Sequence, residues 1–412
     1  MVFWHYLYII FYILFFLGCS HSSPKPSYVK GVSDISQNAS FYIKNLDNGY
    51  ISSLEKYKKD YYKEWQTLQP YVEKKQASWA NRVFHPPYYY GENFQKVSQQ
   101  FYTKVIQNTN FKHFATLNKK AFTLKRVNVR ALPTQRMLFL NPQRAGEGFP
   151  FDYLQNSSIA GYKPVFVSHY SKDKAWVFIE ASFAYGWIPS KDIAFIGNKE
   201  AKQWKESKQN LVIKDNEAIY NKKGEFLFYS QIGQMIPLIS PIKLPKESYH
   251  KGILRFTGQN INRILSRLQK NIYGWGGLYG QRDCSATIRD FFAPFGIWLP
   301  RNSSKQSKIG KIISFEGMSD QEKIVTIKKY AIPFQTLLYK QGHIVLYVGI
   351  FTNKVIIFHN TWGIKTSYWG KVGRFIIGKP IFSTLDFGQN IKGYEKKSSI
   401  LHHLKSMNIL TK

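Results

Sequence analysis

The fold of the C-terminal third of this chain is decided by the stretch RDCSATIRDFFAPFG, residues 282–296. Apolar side chains recur at helical spacing from Cys284 to Phe295, which predicts a helix with one buried face. Asp283 and Ser285, residue types that cap helices, flank the cysteine. The thiol is therefore expected in the first turn of a helix, where the positive end of the helix dipole favours a thiolate.

The chain of 412 residues contains two cysteines, Cys19 and Cys284. Residues 1–18 carry no Lys, Arg, Asp or Glu, and their apolar run matches a secretory signal. The sequence Leu17-Gly18-Cys19 resembles a bacterial lipoprotein signal, in which Cys19 is lipidated and becomes the mature N-terminus. Simple secretion and an uncleaved anchor are the alternatives. If Cys19 is lipidated, Cys284 has no disulfide partner, and a reactive nucleophile is one explanation for a lone exported thiol.

Two histidines follow the cysteine at the ends of predicted strands. His343 lies 59 residues after Cys284 and opens an apolar strand, and His359 ends the next strand. A thiol needs a base, and the base needs a third polar group to fix its tautomer. A two-residue turn at 352–353 would put the histidines on opposite faces. We therefore predict an odd-length loop or a β-bulge near 351–353, and an even hairpin without a bulge would exclude the paired-histidine interpretation.

Charge and composition narrow the class of partner. Lys and Arg number 58 against 25 Asp and Glu, a net charge of +33. Nucleic acid, an anionic membrane surface and the bacterial cell wall are the natural partners of such a chain, although biased codon usage is an equally simple explanation. No basic-aromatic RNA motif or zinc-finger spacing is present, so nucleic acid is not expected. The sequence has no His-Glu-x-x-His and no Gly-x-Ser-x-Gly motif, so a zinc hydrolase and a serine hydrolase have little support. We expect no cofactor and no metal.

Five short motifs resemble the NlpC/P60 peptidase family, whose core is papain-like. They are YGWGG at 273–277, DCSA at 283–286, LPRNS at 299–303, GHI at 342–344, and His359. The resemblance is greatest to members that place SH3-like domains before the peptidase. Such enzymes cleave peptidoglycan stem peptides at the γ-D-glutamyl–diamino acid bond.

The resemblance implies Cys284 as nucleophile, His343 as base and His359 as the third member. It also implies that Asp283 and Ser285 hold the free α-amine of a terminal L-Ala. Tyr273, from the motif Tyr-x-Trp-Gly-Gly, would line the site, and Glu147 and Tyr153 are candidates from the first SH3-like domain. Ala286 stands where the family most often has Gly, a change that a helix tolerates.

The chain as a whole is interpreted as an α+β multidomain protein. After the signal come a tether, a helical cap, two small SH3-like β-barrels, a papain-like α+β domain and a basic, poorly ordered tail. The boundaries are 1–19 (signal), 20–39 (tether), 40–129 (cap), 130–200 and 207–250 (SH3-like), 255–387 (peptidase) and 388–412 (tail).

The function predicted from the sequence is cleavage of stem peptides that begin with a free L-Ala. An exported, lipid-anchored monomer is expected in the bacterial envelope, with the outer membrane favoured and the stem peptides and anionic envelope as partners. Two alternatives stay open. One is a wall-binding lipoprotein scaffold with an inactive papain-like domain, and the other is a thiol amidase or acyltransferase of the same fold.

Overall fold

A computed structural model describes residues 28–43 and 53–410. The predicted signal and the lipidation of Cys19 lie outside the described residues. Within them, no helix is long and apolar enough to cross a membrane. Residues 28–43 are not a free tether, because they pack on the C-terminal domain. The Gln37 side chain bonds the backbone of Phe382 at both N–H and C=O, and the N–H of Thr384 donates to the carbonyl of Gly31.

The N-terminal region is made of short helices, as predicted. Each of the two longest is capped by a serine that accepts a backbone N–H: Ser53 from Lys56 and Ser98 from Phe101. Such a cap satisfies one of the N–H groups that a helix start leaves unpaired. The helices are Leu54–Tyr61, Lys74–Ala77, Ala80–Val83 and Gln99–Asn108, with 3₁₀ turns at Ala39–Tyr42, Lys63–Trp65 and Phe111–His113.

The first SH3-like domain forms one seven-stranded sheet rather than a small separate barrel. It begins at Lys119, earlier than the predicted boundary at 130. The reason is that the strand that starts there pairs with two later strands of the same sheet, β4 and β7 in the order given below. Aliphatic side chains from its strands fill the core of the domain. The strands are β1 Lys119–Thr123, β2 Val127–Arg130, β3 Gln155–Ile159, β4 Pro164–Tyr170, β5 Trp176–Ala181, β6 Ala184–Pro189 and β7 Ile193–Phe195, in the sheet order β3-β2-β6-β5-β4-β1-β7.

The second SH3-like domain follows the helix Asn198–Glu206 and forms two three-stranded sheets, β10-β9-β12 and β11-β8-β13. The predicted turn at 221–224 connects two of its strands, with Gly224 at φ +85°. The strands are β8 Gln209–Val212, β9 Ala218–Asn221, β10 Phe226–Tyr229, β11 Met235–Pro237, β12 Ile242–Lys243 and β13 Tyr249–Lys251.

The C-terminal domain packs helices on a six-stranded antiparallel sheet. Its first helix is capped by Thr257, and its apolar stripe is fully buried with that of the second helix. The helices are Gly258–Leu268, Cys284–Phe292, Ser303–Gln306, Asp320–Tyr330 and Ile400–His403. The strands are β14 Lys311–Ser314, β15 Thr336–Lys340, β16 His343–Phe351, β17 Lys354–Tyr368, β18 Lys371–Thr384 and β19 Leu404–Ile409, in the sheet order β14-β19-β15-β16-β17-β18.

The expectation of a poorly ordered tail is wrong. Strand β19 lies inside the sheet, between β14 and β15, where Met407 pairs with Ile313 on one side and with Leu338 on the other. The segment that leads to it is anchored by the helix Ile400–His403, whose Ile400 is buried. The C-terminal domain therefore extends well past the predicted boundary at 387.

Candidate active site

Cys284 is the first residue of its helix, as the flanking residues predict. Asp283 is the N-cap, and its Oδ1 accepts the N–H of Ala286 at 2.9 Å. The thiol is 8% exposed, and its sulfur lies 4.0 Å from the carbonyl oxygen of Gly342, just before β16. The nucleophile candidate is thus held between the start of a helix and the start of a strand.

The protonation state of this thiol differs from the expected one. Burial, with the neighbouring Asp283 carboxylate, raises the pKa of Cys284 to about 12, and this outweighs the opposing effect of the backbone N–H groups of Ser285 and Ile344. Burial, with the nearby Lys340, lowers the pKa of His343 to about 3. Near neutral pH both groups are therefore uncharged, and the thiol would lose its proton only as the base removes it during attack.

A chain of hydrogen bonds runs away from the base. The Nε2 of His343 lies 2.9 Å from the Nδ1 of His359, and the Nε2 of His359 lies 3.0 Å from the Oγ of Ser383. His359 and Ser383 are both fully buried. Burial lowers the pKa of His359 as well. Both rings are therefore neutral, and a single N–H forms the hydrogen bond between them. Such a chain can fix the tautomer of His343 with its proton on Nε2. The other ring nitrogen, Nδ1, is then free to accept the proton of the thiol.

The two histidines share a face because the hairpin carries a β-bulge. The turn has two residues, Thr352 and Asn353, both with positive φ. The pairing of β16 with β17 then shifts by one between Tyr347 and Gly349. A bulge is therefore present, as the parity argument requires, but it lies a few residues before the predicted position near 351–353.

Asp283 is bonded to an arginine rather than presented as a free carboxylate. Its Oδ2 accepts from Nη2 of Arg301 at 2.6 Å and from the N–H of Gly276 at 3.2 Å, and its Oδ1 accepts from Nη1 of Arg301 at 3.0 Å. The same Nη1 donates to the Oγ of Ser285 at 3.0 Å. Together with the cap bond to Ala286, these contacts occupy the acceptor positions of the carboxylate. In this arrangement Asp283 positions the helix and the guanidinium and has no vacant position for an amine.

Arg301 also ties the helix to the first SH3-like domain. Its Nε donates to the Oγ of Ser157 in β3 at 2.9 Å. The glycine pair of the YGWGG motif, Gly276 and Gly277, lies against the same strand with positive φ. A Cβ at Gly277 would come within 2.3 Å of the Oγ of Ser158. The glycines thus allow β3 to approach the C-terminal domain closely.

Cys284 lies between two cavities, which have Tyr273, Trp275 and Gly342 in common. The first, of about 700 Å³, is lined by residues of the N-terminal region, the first SH3-like domain and the C-terminal domain. We call it the acyl-side cavity. The second, of about 490 Å³, is called the His343-side cavity. The acyl-side cavity is lined by, among others, Trp79, Tyr153, Phe183, Asp283, Ser285 and Arg301, and the His343-side cavity by Lys340, His343, Trp362, Lys365, Arg374 and His403.

The predicted site residues are brought together with one exception. Tyr273 and Tyr153 both line the acyl-side cavity. Glu147 lines neither cavity, and its Oε2 accepts the N–H of Asn141 within its own loop. Sequence reasoning missed Arg301 and Ser383. Arg301 stands in the LPRNS motif, so a signal for it was present, whereas nothing local distinguishes Ser383 from other serines in strands.

Family models match successive parts of the chain. Residues 8–114 match the NLPC_P60 stabilising domain, N term, and residues 137–189 match an SH3 domain of SH3b1 type. Residues 198–241 match an SH3 domain of SH3b2 type, and residues 270–371 match the NlpC/P60 family. The chain therefore combines an NlpC/P60 domain with its N-terminal stabilising domain and two SH3b domains, and the family predicted from the motifs is confirmed.

A solved structure shares the fold over nearly the whole chain. An NlpC/P60 endopeptidase from Photobacterium damselae subsp. piscicida superposes with a TM-score of 0.80 at 24% identity, over 92% of this chain and 98% of that one. An NlpC/P60 family protein from Bacillus cereus is 16% identical, with a TM-score of 0.46 over 71% of this chain and 100% of its own. A search among curated proteins finds no significant match.

Proposed function

We propose that this protein is a peptidoglycan hydrolase that cleaves the γ-D-glutamyl–diamino acid bond of stem peptides with Cys284 as nucleophile. The observation that carries the proposal is the placement of Cys284 at a helix start between two cavities, beside the chain His343–His359–Ser383. His343 would take the thiol proton as sulfur attacks the carbonyl carbon, and would then give it to the leaving amine. The backbone N–H groups at the helix start would stabilise the oxyanion.

The lining of the acyl-side cavity favours a substrate that ends shortly before the cleaved bond. Residues from three parts of the chain line it, which limits the room beyond the N-terminus of a bound stem. Arg301 makes four side-chain bonds with its five N–H donors, which leaves one donor for the α-carboxylate of D-Glu. We therefore propose a preference for stems with a free L-Ala, based on this limited room. Ser285, Tyr273 and Tyr153 would contact the substrate, while Asp283 would hold Arg301 in place.

The test is mass spectrometry of L-Ala-γ-D-Glu-diaminopimelate incubated with wild type and with Cys284→Ala. Wild type should release L-Ala-D-Glu and free diaminopimelate, and the variant should release neither. Absence of both products with the folded wild type would refute the proposal and favour the scaffold alternative. Cleavage at another amide would favour the amidase alternative. The N-acetylated peptide is the comparison substrate for the free amine, and equal rates on both peptides would exclude the L-Ala preference.

We further propose that the protein is exported and held at the membrane by a lipid on Cys19. The composition of residues 1–18 and the wall-directed domain types support this location. Metabolic labelling with a fatty acid, compared between wild type and Cys19→Ala, tests the anchor. Labelling that survives the substitution would refute it.

A further inference from the structure

The His343-side cavity is the side on which the leaving group must lie. The base has to reach the departing amine after the thiol has attacked. His343 lines this cavity and does not line the acyl-side cavity, which instead contains Asp283, Ser285 and Arg301. The half of the substrate that leaves, with its newly protonated amine, is therefore directed into the His343-side cavity.

The charges that line this cavity have one sign. Lys340, Lys365 and Arg374 contribute three cationic side chains, and His343 and His403 are the other titratable groups apart from tyrosine and the thiol. None of the residues that line it is an aspartate or a glutamate. Lys365 is paired with Glu395 at 3.0 Å. In the described part of the chain, neither Lys340 nor Arg374 forms an ion pair with a carboxylate.

Both unpaired cations are held by their surroundings. Lys340 lies directly opposite His343 in the pairing of β15 with β16, so its side chain emerges beside the base. Arg374 packs against Gly146 of the first SH3-like domain, where an added Cβ would be 3.2 Å from Nη2. Burial lowers the pKa of both side chains. Glu395 is close enough to Arg374 to oppose this lowering, but its carboxylate is paired with Lys365. A half-buried cation without an ion pair of its own is an unfavourable arrangement that a bound carboxylate would relieve.

We propose that Lys340 and Arg374 bind a carboxylate of the leaving residue, and that they thereby select a diamino acid with a free carboxylate over its amide. This rests on the proposed function and deepens it. A carboxylate gains charge-assisted hydrogen bonds to both cations. An amide would displace their water and leave the two charges unpaired, so discrimination comes from the penalty on the wrong ligand as well as the gain on the right one.

Three substrates test the proposal with the full chain: L-Ala-γ-D-Glu-diaminopimelate, its side-chain amide, and its C-terminal amide. The measurement is kcat/KM by quantitative release of L-Ala-D-Glu. With wild type, at least one amide should be cleaved about tenfold or more slowly, as expected for the loss of one charge-assisted hydrogen bond. The amide that is discriminated against identifies which carboxylate is bound.

The variants Lys340→Gln and Arg374→Gln should bring that ratio towards one, while Arg374→Lys keeps the charge and should retain most of it. Lys371→Gln removes a charge from the exposed far end of β18 and is the matched control. Equal rates of wild type on all three substrates would overturn the inference and leave the proposed function standing. So would a ratio unchanged in both Gln variants. Failure of wild type to cleave any of the three would instead refute the proposed function, and the inference with it.

Discussion

Removal of the Arg301 guanidinium should loosen the start of the nucleophile helix. In Arg301→Met, the Asp283 carboxylate stays buried and loses two bonds of 2.6 and 3.0 Å, and Ser157 and Ser285 lose their donor. Breaking a buried ion pair by removing one partner costs about 3–5 kcal/mol. At about 1.4 kcal/mol per factor of ten, amides of the helix should open, and exchange hydrogen, roughly a hundred to several thousand times faster.

Hydrogen exchange followed by mass spectrometry of peptides that cover Cys284–Phe292 measures this opening locally. Arg136→Met is the matched control, because Arg136 pairs with Glu92 at 3.1 Å on the surface and such pairs contribute at most about 1 kcal/mol. In Asp283→Asn/Arg301→Met, both charges of the buried pair are removed, and an Asn at position 283 can still cap the helix. The double variant should therefore be protected better than Arg301→Met alone.

The pH dependence supplies a second check on the same variant. In wild type, Arg301 helps to hold the pKa of Asp283 below its usual value. The ion pair therefore stabilises the fold at any pH above the usual pKa of an aspartate, and this stabilisation is lost as the pH falls through the lowered pKa. In Arg301→Met, burial should raise the pKa of Asp283. The loss of helix stability should therefore be larger at pH 7, where the carboxylate is charged, than at pH 4. Exchange rates that match wild type at pH 7, or a double variant as loose as the single one, would refute the reasoning.

The remaining predictions concern the histidines and the sheet. His359→Ala should lower kcat/KM by about 10²–10⁴, as expected when a base loses its orientation, and Ser383→Ala should lower it less; equal, negligible effects of both in steady-state assays would contradict the relay. Since burial lowers the pKa of His343 to about 3, the base should stay neutral and active well below its ordinary pKa of about 6.5, and kcat/KM should fall only as the pH approaches about 3; an acid limb of kcat/KM centred near pH 6.5 would be evidence against this. Deletion of Val348 removes the bulge together with a fully buried side chain, so it should turn His343 to the opposite face, abolish activity and lower the free energy of unfolding; retained activity would contradict the assigned register. Truncation before Leu404 should leave β15 unpaired on one side and give insoluble protein, and a soluble, active product would exclude the need for β19.

Local sequence was enough for the first two helices of the C-terminal domain. The caps Thr257 and Asp283 act within three residues of themselves, and the stripes they precede are buried as their spacing predicts. Parity of side chains along two strands was enough to require a bulge, because His343 and His359 must share a face. It could not place the bulge at Val348, since any one-residue insertion between the histidines satisfies the same count.

Contacts between distant parts of the chain account for the failures. β19 is a short strand that follows a polar segment, and only its partners Ile313 and Leu338 show that it belongs in the sheet. The pKa of Cys284 was expected to fall because the helix start is visible in the sequence. It rises because burial and the neighbouring Asp283 carboxylate outweigh the effect of the helix start, and the partner of Asp283 is supplied from outside its helix, by Arg301.

The position of β19 sets the time at which the active site can form. Leu404 comes 120 residues after Cys284 in the chain, and at about 5–20 residues per second its synthesis follows that of the nucleophile by about 6–24 s. Until then β15 lacks its neighbour, and the strand pair that presents His343 has one open edge. A nascent chain therefore holds the nucleophile before the sheet that presents His343 can be completed.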